Sequence, residues 1–235
     1  FSLYFSKLYK FLGCKKIIIP EKNYNLENLI KRKFKKIKNL KQLLNYKVNG
    51  VLVGDLLYDT YLMKNHVPTI DMNSGNFEKF FIEFNYLVYF WINYFKNNRV
   101  DYVIGPHLVY SYGLPLRIAK KNNATSIIST LDVLYKLKHH DQYQVEHWNF
   151  KRKKFKKKEL TQNRIWSKKR LNEVFAGKDL KITPTLKVSS FSKIKKKSLI
   201  KKNNKMKILV LPHDFFDAPH AWGNKGIFTD YFQWL

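Results

Sequence analysis

The sequence predicts an α/β fold, a parallel sheet covered by helices on both faces, and three observations carry that prediction. Short apolar runs recur at 15–20, 48–55, 100–106, 124–129 and 208–211. Segments with apolar residues at helical spacing separate them, and Gly, Pro or Asn ends most of them. Strands that alternate with helices join through βαβ crossovers, which places helices on both sides of the sheet.

Taken in order, KKIIIP (15–20) reads as a strand stopped by Pro20. Residues 25–45 read as a helix, with Leu26, Leu29, Ile30, Ile37, Leu40 and Leu44 on one face and lysines on the other. VNGVLVGD (48–55) is a second apolar run, and DLLYDTYLM (55–63) opens a helix with Asp55 as N-cap. The aromatic stretch 76–98 reads as a buried amphipathic helix. Glu78, Lys79 and Glu83 interrupt it, and the remainder is too short and Asn-punctuated for a membrane span. VDYVIGP (100–106) is the clearest strand, a helix over about 109–122 follows, and ATSIIS (124–129) is another buried run. Residues 130–175 read as a peripheral extension ending in a lysine-rich helix (151–175) that Gly177 caps. Residues 176–205 read as a linker, and KMKILVLP restarts the strand pattern. The expected division is therefore a first domain at 1–175, a linker at 176–205 and the start of a second α/β domain at 206–235. Phe1 in place of methionine, and a periodic segment still running at Leu235, read as a fragment cut at both ends.

Apolar residues make up 45% of the 235, ordinary for a globular chain and contrary to disorder. The single cysteine, Cys14, excludes an internal disulfide and a cysteine zinc site, and points to a reducing compartment, most simply the cytoplasm. Net charge is +28, with residues 151–205 holding 21 Lys/Arg against 3 Asp/Glu. Only six of the basic residues are arginine, and asparagine abounds, so AT-rich codon bias explains much of the excess. Attraction to an anionic membrane surface is the next reading.

Three stretches carry candidate chemistry. In GPHLVYSYGLPLRIAKK (105–121), Gly105 and Pro106 turn the chain off a strand and set His107 at its mouth, with Tyr110 and Ser111 in the first helical turn. Free N–H groups there suit a phosphate or a sugar hydroxyl. The bland alternative is that His107 and Ser111 only satisfy local backbone. In GDLLYDTYL (54–62), Asp55 and Asp59 share a helix face, and Tyr58 adds aromatic surface suited to sugars. The alternative is an N-cap and a solvated face. In PHDFFDAPHAWG (212–223), His213, Asp214, Asp217 and His220 precede Gly223 and Asn224. A histidine near neutral pH serves as base when a carboxylate orients it. The alternatives are loop capping or a metal site, although the spacing matches no metal signature. Walker, GxGxxG and nucleophile-elbow patterns are missing from the sequence.

From about residue 40 onward, GDLLYDTYL, the H-x-x-Y…G-x-x-x-R-I-A run (107–119) and HDFFDAPHAWG together resemble bacterial surface-carbohydrate or capsular-polysaccharide biosynthesis proteins. Members look like GT-B glycosyltransferases, with two Rossmann-like domains facing across a cleft, and relatives include Kdo transferases. The resemblance implies a truncated GT-B chain, its first domain on the acceptor side and its second on the donor side. It implies metal-independent transfer from a nucleotide-sugar donor to a glycan or lipid-linked acceptor, with no cofactor. The catalytic residues expected are His107, Asp59, His213 and His220. Those expected to bind substrate are Asp55, Tyr58, Tyr110, Ser111, Arg117, Asp214, Asp217, Gly223 and Asn224. The expected location is the cytoplasm, with peripheral attachment at the inner face of the cell membrane as an option. A sugar-nucleotide epimerase is one rival. A polyanion-binding module is another, with residues 151–205 gripping nucleic acid and Trp148, Phe155 and Trp166 stacking on bases, although no nucleic-acid fold signature supports it.

Overall fold

The computed structural model describes residues 3–129, 134–138, 157–175, 214–221 and 230–234. It is a mixed α/β arrangement. Contacts divide the chain into two compact units, one of Phe1–Glu146 with Leu211–Leu235, the other His147–Val210. The described residues expected to open a second domain, 214–221 and 230–234, thus belong with the first unit. The expected strand at 208–211, the linker at 176–205 and the cap at Gly177 lie outside the described residues.

The first unit begins with helix α1 (Leu3–Phe11), ended by Gly13 at φ +89°. Gly13 N–H donates to the Lys10 carbonyl and Cys14 N–H to that of Tyr9, the paired bonds of a Schellman cap. No strand forms at 15–20. Among the described residues nothing pairs with this run, and Ile19 is 61% exposed. The periodic stretch 25–45 is two helices rather than one, α2 (Glu27–Lys36) and α3 (Leu40–Leu44). The break has a chemical cause. Asn39 Oδ1 accepts from Gln42 N–H at 2.9 Å while Gln42 Oε1 accepts from Lys38 N–H at 2.7 Å, a reciprocal start signal that interrupts the apolar stripe.

The run 48–55 folds back on itself as a hairpin of β1 (Lys47–Val48) and β2 (Val51–Leu52). Asn49 and Gly50 occupy its turn, both at positive φ, as a two-residue hairpin turn demands. Helix α4 (Gly54–Asn65) follows at once, and its first nine residues are all buried. A helix apolar or buried all round belongs in the centre of a core, and α4 lies there. Helix α5 (Gly75–Asn97), capped by Ser74, packs Phe77, Phe81, Phe84 and Val88 into the same core. No helix among the described residues is long and apolar enough to cross a membrane.

Strand β3 (Tyr102–Gly105), a 3-10 turn (Tyr110–Tyr112), helix α6 (Gly113–Lys121) and strand β4 (Thr125–Ser129) form the one crossover of the expected kind among the described residues. The two strands are parallel, with Tyr102 opposite Thr125. Strand β5 (Leu134–Lys136) joins β4 antiparallel, so the sheet is mixed and runs β3-β4-β5. Helix α6 covers one face through Leu116, whose carbonyl accepts from Ser126 Oγ at 2.8 Å. The other face carries Tyr102, Ile104 and Leu134, all exposed, so the expected cover on both faces is met on one among the described residues. In the second unit, helix α7 (Lys157–Phe175) lies where a lysine-rich helix was expected, with its described side chains largely exposed. Helix α8 (Tyr231–Trp234) closes the described chain.

Candidate functional site

The site is built on α4. Gly54 opens the helix against α3, where a β-carbon would stand 1.8 Å from the Leu43 carbonyl oxygen, so no larger residue fits. This close approach sinks the next two turns, and with them Asp55 and Asp59, to 4% and 1% exposure. A buried carboxylate needs a partner, and each has a different one.

Asp55 pairs with Arg117 of α6 in a bidentate bridge, Nη1–Oδ1 and Nη2–Oδ2 both 2.7 Å, while Nη1 also donates to the Leu52 carbonyl. The expected N-cap role for Asp55 is therefore corrected. Val53 is the cap residue, whose hydrocarbon side chain makes no cap bond, and the Asp55 carboxylate is turned to the guanidinium instead. Both side chains are buried, and their fork ties α4, β2 and α6 together.

Asp59, one turn further on, pairs with His220. Its Oδ1 lies 2.6 Å from His220 Nδ1, and its Oδ2 accepts from the His220 main-chain N–H at 3.2 Å. Burial raises the Asp59 carboxyl above the usual carboxylate range, against the pull of the imidazole's hydrogen bonds. Tyr58 stands edge-on to the His220 ring, centroids 4.8 Å apart. The Tyr58 hydroxyl donates to Asp230 Oδ2 at 2.7 Å, Thr69 Oγ1 donates to the same oxygen at 2.6 Å, and Asp230 Oδ1 caps α8 through the Gln233 N–H. Burial holds the Tyr58 phenol well above its ordinary value, so it stays a donor.

The strand-mouth loop after β3 meets the same ground. Tyr110, at φ +56°, donates its hydroxyl to Asp217 Oδ1, and the Tyr231 hydroxyl donates to the Asp217 carbonyl. Burial pushes Tyr231 up to about 12, with Asp217, Asp59 and Asp214 adding to it. A non-glycine residue in the left-handed region persists only where surrounding contacts hold it, and such positions gather at functional sites. His107 packs against Tyr110 and Tyr112, and its Nδ1 accepts from the Val109 N–H at 3.2 Å. Burial lowers the His107 pKa, while the nearby Asp217 charge pulls it back up.

The structure thus brings Asp59, Tyr58, Tyr110, Asp217 and His220 into one cluster with His107 beside it, joining the stretches 54–62, 105–112 and 214–221. It places Asp55 and Arg117 one turn away, bonded to each other, Ser111 half-buried in the 3-10 turn, and Asp214 exposed at the loop's start. His213, Gly223 and Asn224 lie outside the described residues. Thr69, Asp230 and Tyr231 were missed. Asp230 just before an aromatic run carried an N-cap signal, whereas nothing around Thr69 marks it. Among the described residues no group of His, Cys, Asp and Glu is arranged to hold a metal ion. Comparison of the chain with protein-family models, curated proteins and solved structures finds no match.

Proposed function

We propose that the chain belongs to a glycosyltransferase of surface or capsular polysaccharide biosynthesis, which moves a sugar from a nucleotide donor to a glycan or lipid-linked acceptor. The observation that carries this reading is the buried Asp59–His220 pair beside the strained Tyr110 at the mouth of β3. The β3–α6–β4 crossover supports a Rossmann-like origin for the sheet, and hence a GT-B frame, because ligands of such sheets sit beyond the carboxyl ends of the strands.

With its Nδ1–H donated to Asp59, the His220 ring keeps its lone pair on Nε2, the tautomer of a general base. In the proposed reaction the acceptor hydroxyl loses its proton to that imidazole, and its oxygen bonds to the anomeric carbon. The bond from that carbon to the donor phosphate breaks, and the nucleoside diphosphate departs with the electron pair. His107 is suited to a different task. Accepting at Nδ1 puts its proton on Nε2, so it donates a hydrogen bond to a substrate oxygen. The work would take place at the cytoplasmic face of an anionic membrane.

The test is transfer of label from a panel of nucleotide sugars to membranes bearing glycan acceptors, with the wild-type chain, Asp59→Asn and His220→Ala. Loss of transfer by about 10²–10⁴ in both variants, with the fold kept, is expected for a base and its orienting carboxylate. Undiminished transfer overturns the site, and a wild-type chain that neither binds nor transfers any nucleotide sugar overturns the function.

A second reading, a polyanion-binding module, draws on α7, where Trp166 and Ile165 are about two-thirds exposed among Arg164, Lys168, Lys169 and Arg170. The stacking partners expected at Trp148 and Phe155 lie outside the described residues. Retention of single-stranded RNA at moderate salt, without nucleotide-sugar affinity, favours this reading.

A further inference from the structure

The first twenty residues contain four lysines, Lys7, Lys10, Lys15 and Lys16, and no acidic residue; Glu21 is the first. Within them the described apolar side chains in the last turns of α1, and in the turn residue just beyond it, face solvent. Phe11 is 88% exposed and Leu12 68%, with Leu8 and Tyr9 near half. Leu8, Phe11 and Leu12 stand at i, i+3 and i+4, and Leu12, the turn residue after α1, still donates its N–H to the Leu8 carbonyl, so the three form one stripe. The exposed apolar residues of α7, Leu160, Ile165, Trp166 and Leu171, follow no such spacing and share their helix with Glu159 and Glu173. The Schellman bonds at Gly13 end α1 cleanly and leave Lys15 and Lys16, both exposed, directly beyond it. An apolar stripe flanked only by cations fits a surface that is oily beneath and anionic on top.

We propose that α1 and the residues through Ile19, itself 61% exposed, dock on an anionic lipid bilayer. Helix α1 lies in the plane of the interface, with Leu8, Phe11 and Leu12 among the acyl chains and the four lysines against the headgroup phosphates. The inference does not rest on the transferase reading, and no activity is needed to test it.

The chain contains one cysteine, Cys14, which stands just beyond the stripe and accepts an environment-sensitive nitrobenzoxadiazole label. Wild-type chain and Phe11→Glu/Leu12→Glu, both labelled, are sedimented with vesicles of equal parts phosphatidylcholine and phosphatidylglycerol, and with phosphatidylcholine alone. The expected result is binding to the anionic vesicles only, with a blue-shifted and brighter label. The double variant, whose substituted positions are exposed, should keep its circular dichroism and lose binding on the order of tenfold. Binding that survives the double substitution with the label unmoved assigns the attraction to charge elsewhere and overturns the proposal. So does an absence of vesicle binding, or a label that shifts with protein concentration alone, which would assign the stripe to a second copy of the chain.

Discussion

Asp55 and Asp59 show what partnership does to two like residues on one helix. The guanidinium fork of Arg117 holds the first, and the imidazole of His220 holds the second. Removing one member of a buried pair strands the other without solvent, so Arg117→Met should cost about 3–5 kcal/mol in urea unfolding. Asp55→Leu combined with Arg117→Met should recover most of that loss, because no lone charge remains. His107 sets a pH dependence of definite sign. Its pKa is lowered in the folded state, so the unfolded chain takes up the proton first as the solution is acidified. Its contribution is fully present above the ordinary value of about 6.5 and is lost as pH falls through the lower folded-state value. Urea midpoints compared at about pH 7.5 and about pH 5 should fall less for His107→Gln than for wild type. These residues of the candidate site were legible as chemistry-bearing, since histidine, aspartate and tyrosine crowded at strand and helix mouths attract notice. Their pairing was not: Asp59 and His220 are 161 positions apart, and no local spacing encodes that separation.

At the scale of elements, periodicity found most of the helices and the β3 and β4 strands, but it misplaced boundaries where polar side chains intervened. The N-L-K-Q signal at 39–42 was present in the sequence and was overridden by an apolar stripe that ran across it. The isoleucines at 17–19 had every local trait of a strand and found no strand partner among the described residues; β-propensity expresses fit to a sheet already present. Helix α4 illustrates a glycine whose role is visible only in three dimensions. In an exposed helix Gly→Ala stabilises by about 1 kcal/mol. At Gly54 the new methyl would meet the Leu43 carbonyl, so Gly54→Ala should instead destabilise by about 1–3 kcal/mol, as overpacking does, read from thermal and urea unfolding.

On the scale of the whole molecule, the segment 211–235 belongs to the same compact unit as the first 146 residues. Its His220 and Asp230 satisfy Asp59, Tyr58 and Thr69, all on or just after α4. A chain ending at residue 210 would leave Asp59 in the core without its imidazole. Its far-UV circular dichroism melt should show a loss on the order of 3 kcal/mol or more relative to the intact chain. Retention of full stability would mean that the loop rests on the surface without stabilising what lies below. By itself the sequence determined the α/β class, the order of most elements, the buried aromatic helix and several of the polar residues that the candidate site brings together, because these follow from local spacing and side-chain chemistry. Only the tertiary structure decided that Tyr102, Ile104 and Leu134 on one sheet face stay exposed, that β5 turns the sheet mixed, and that the 214–221 loop settles on α4. Those outcomes depend on which distant surfaces exclude water together, and burial of a charge is resolved by whichever partner the fold brings within reach.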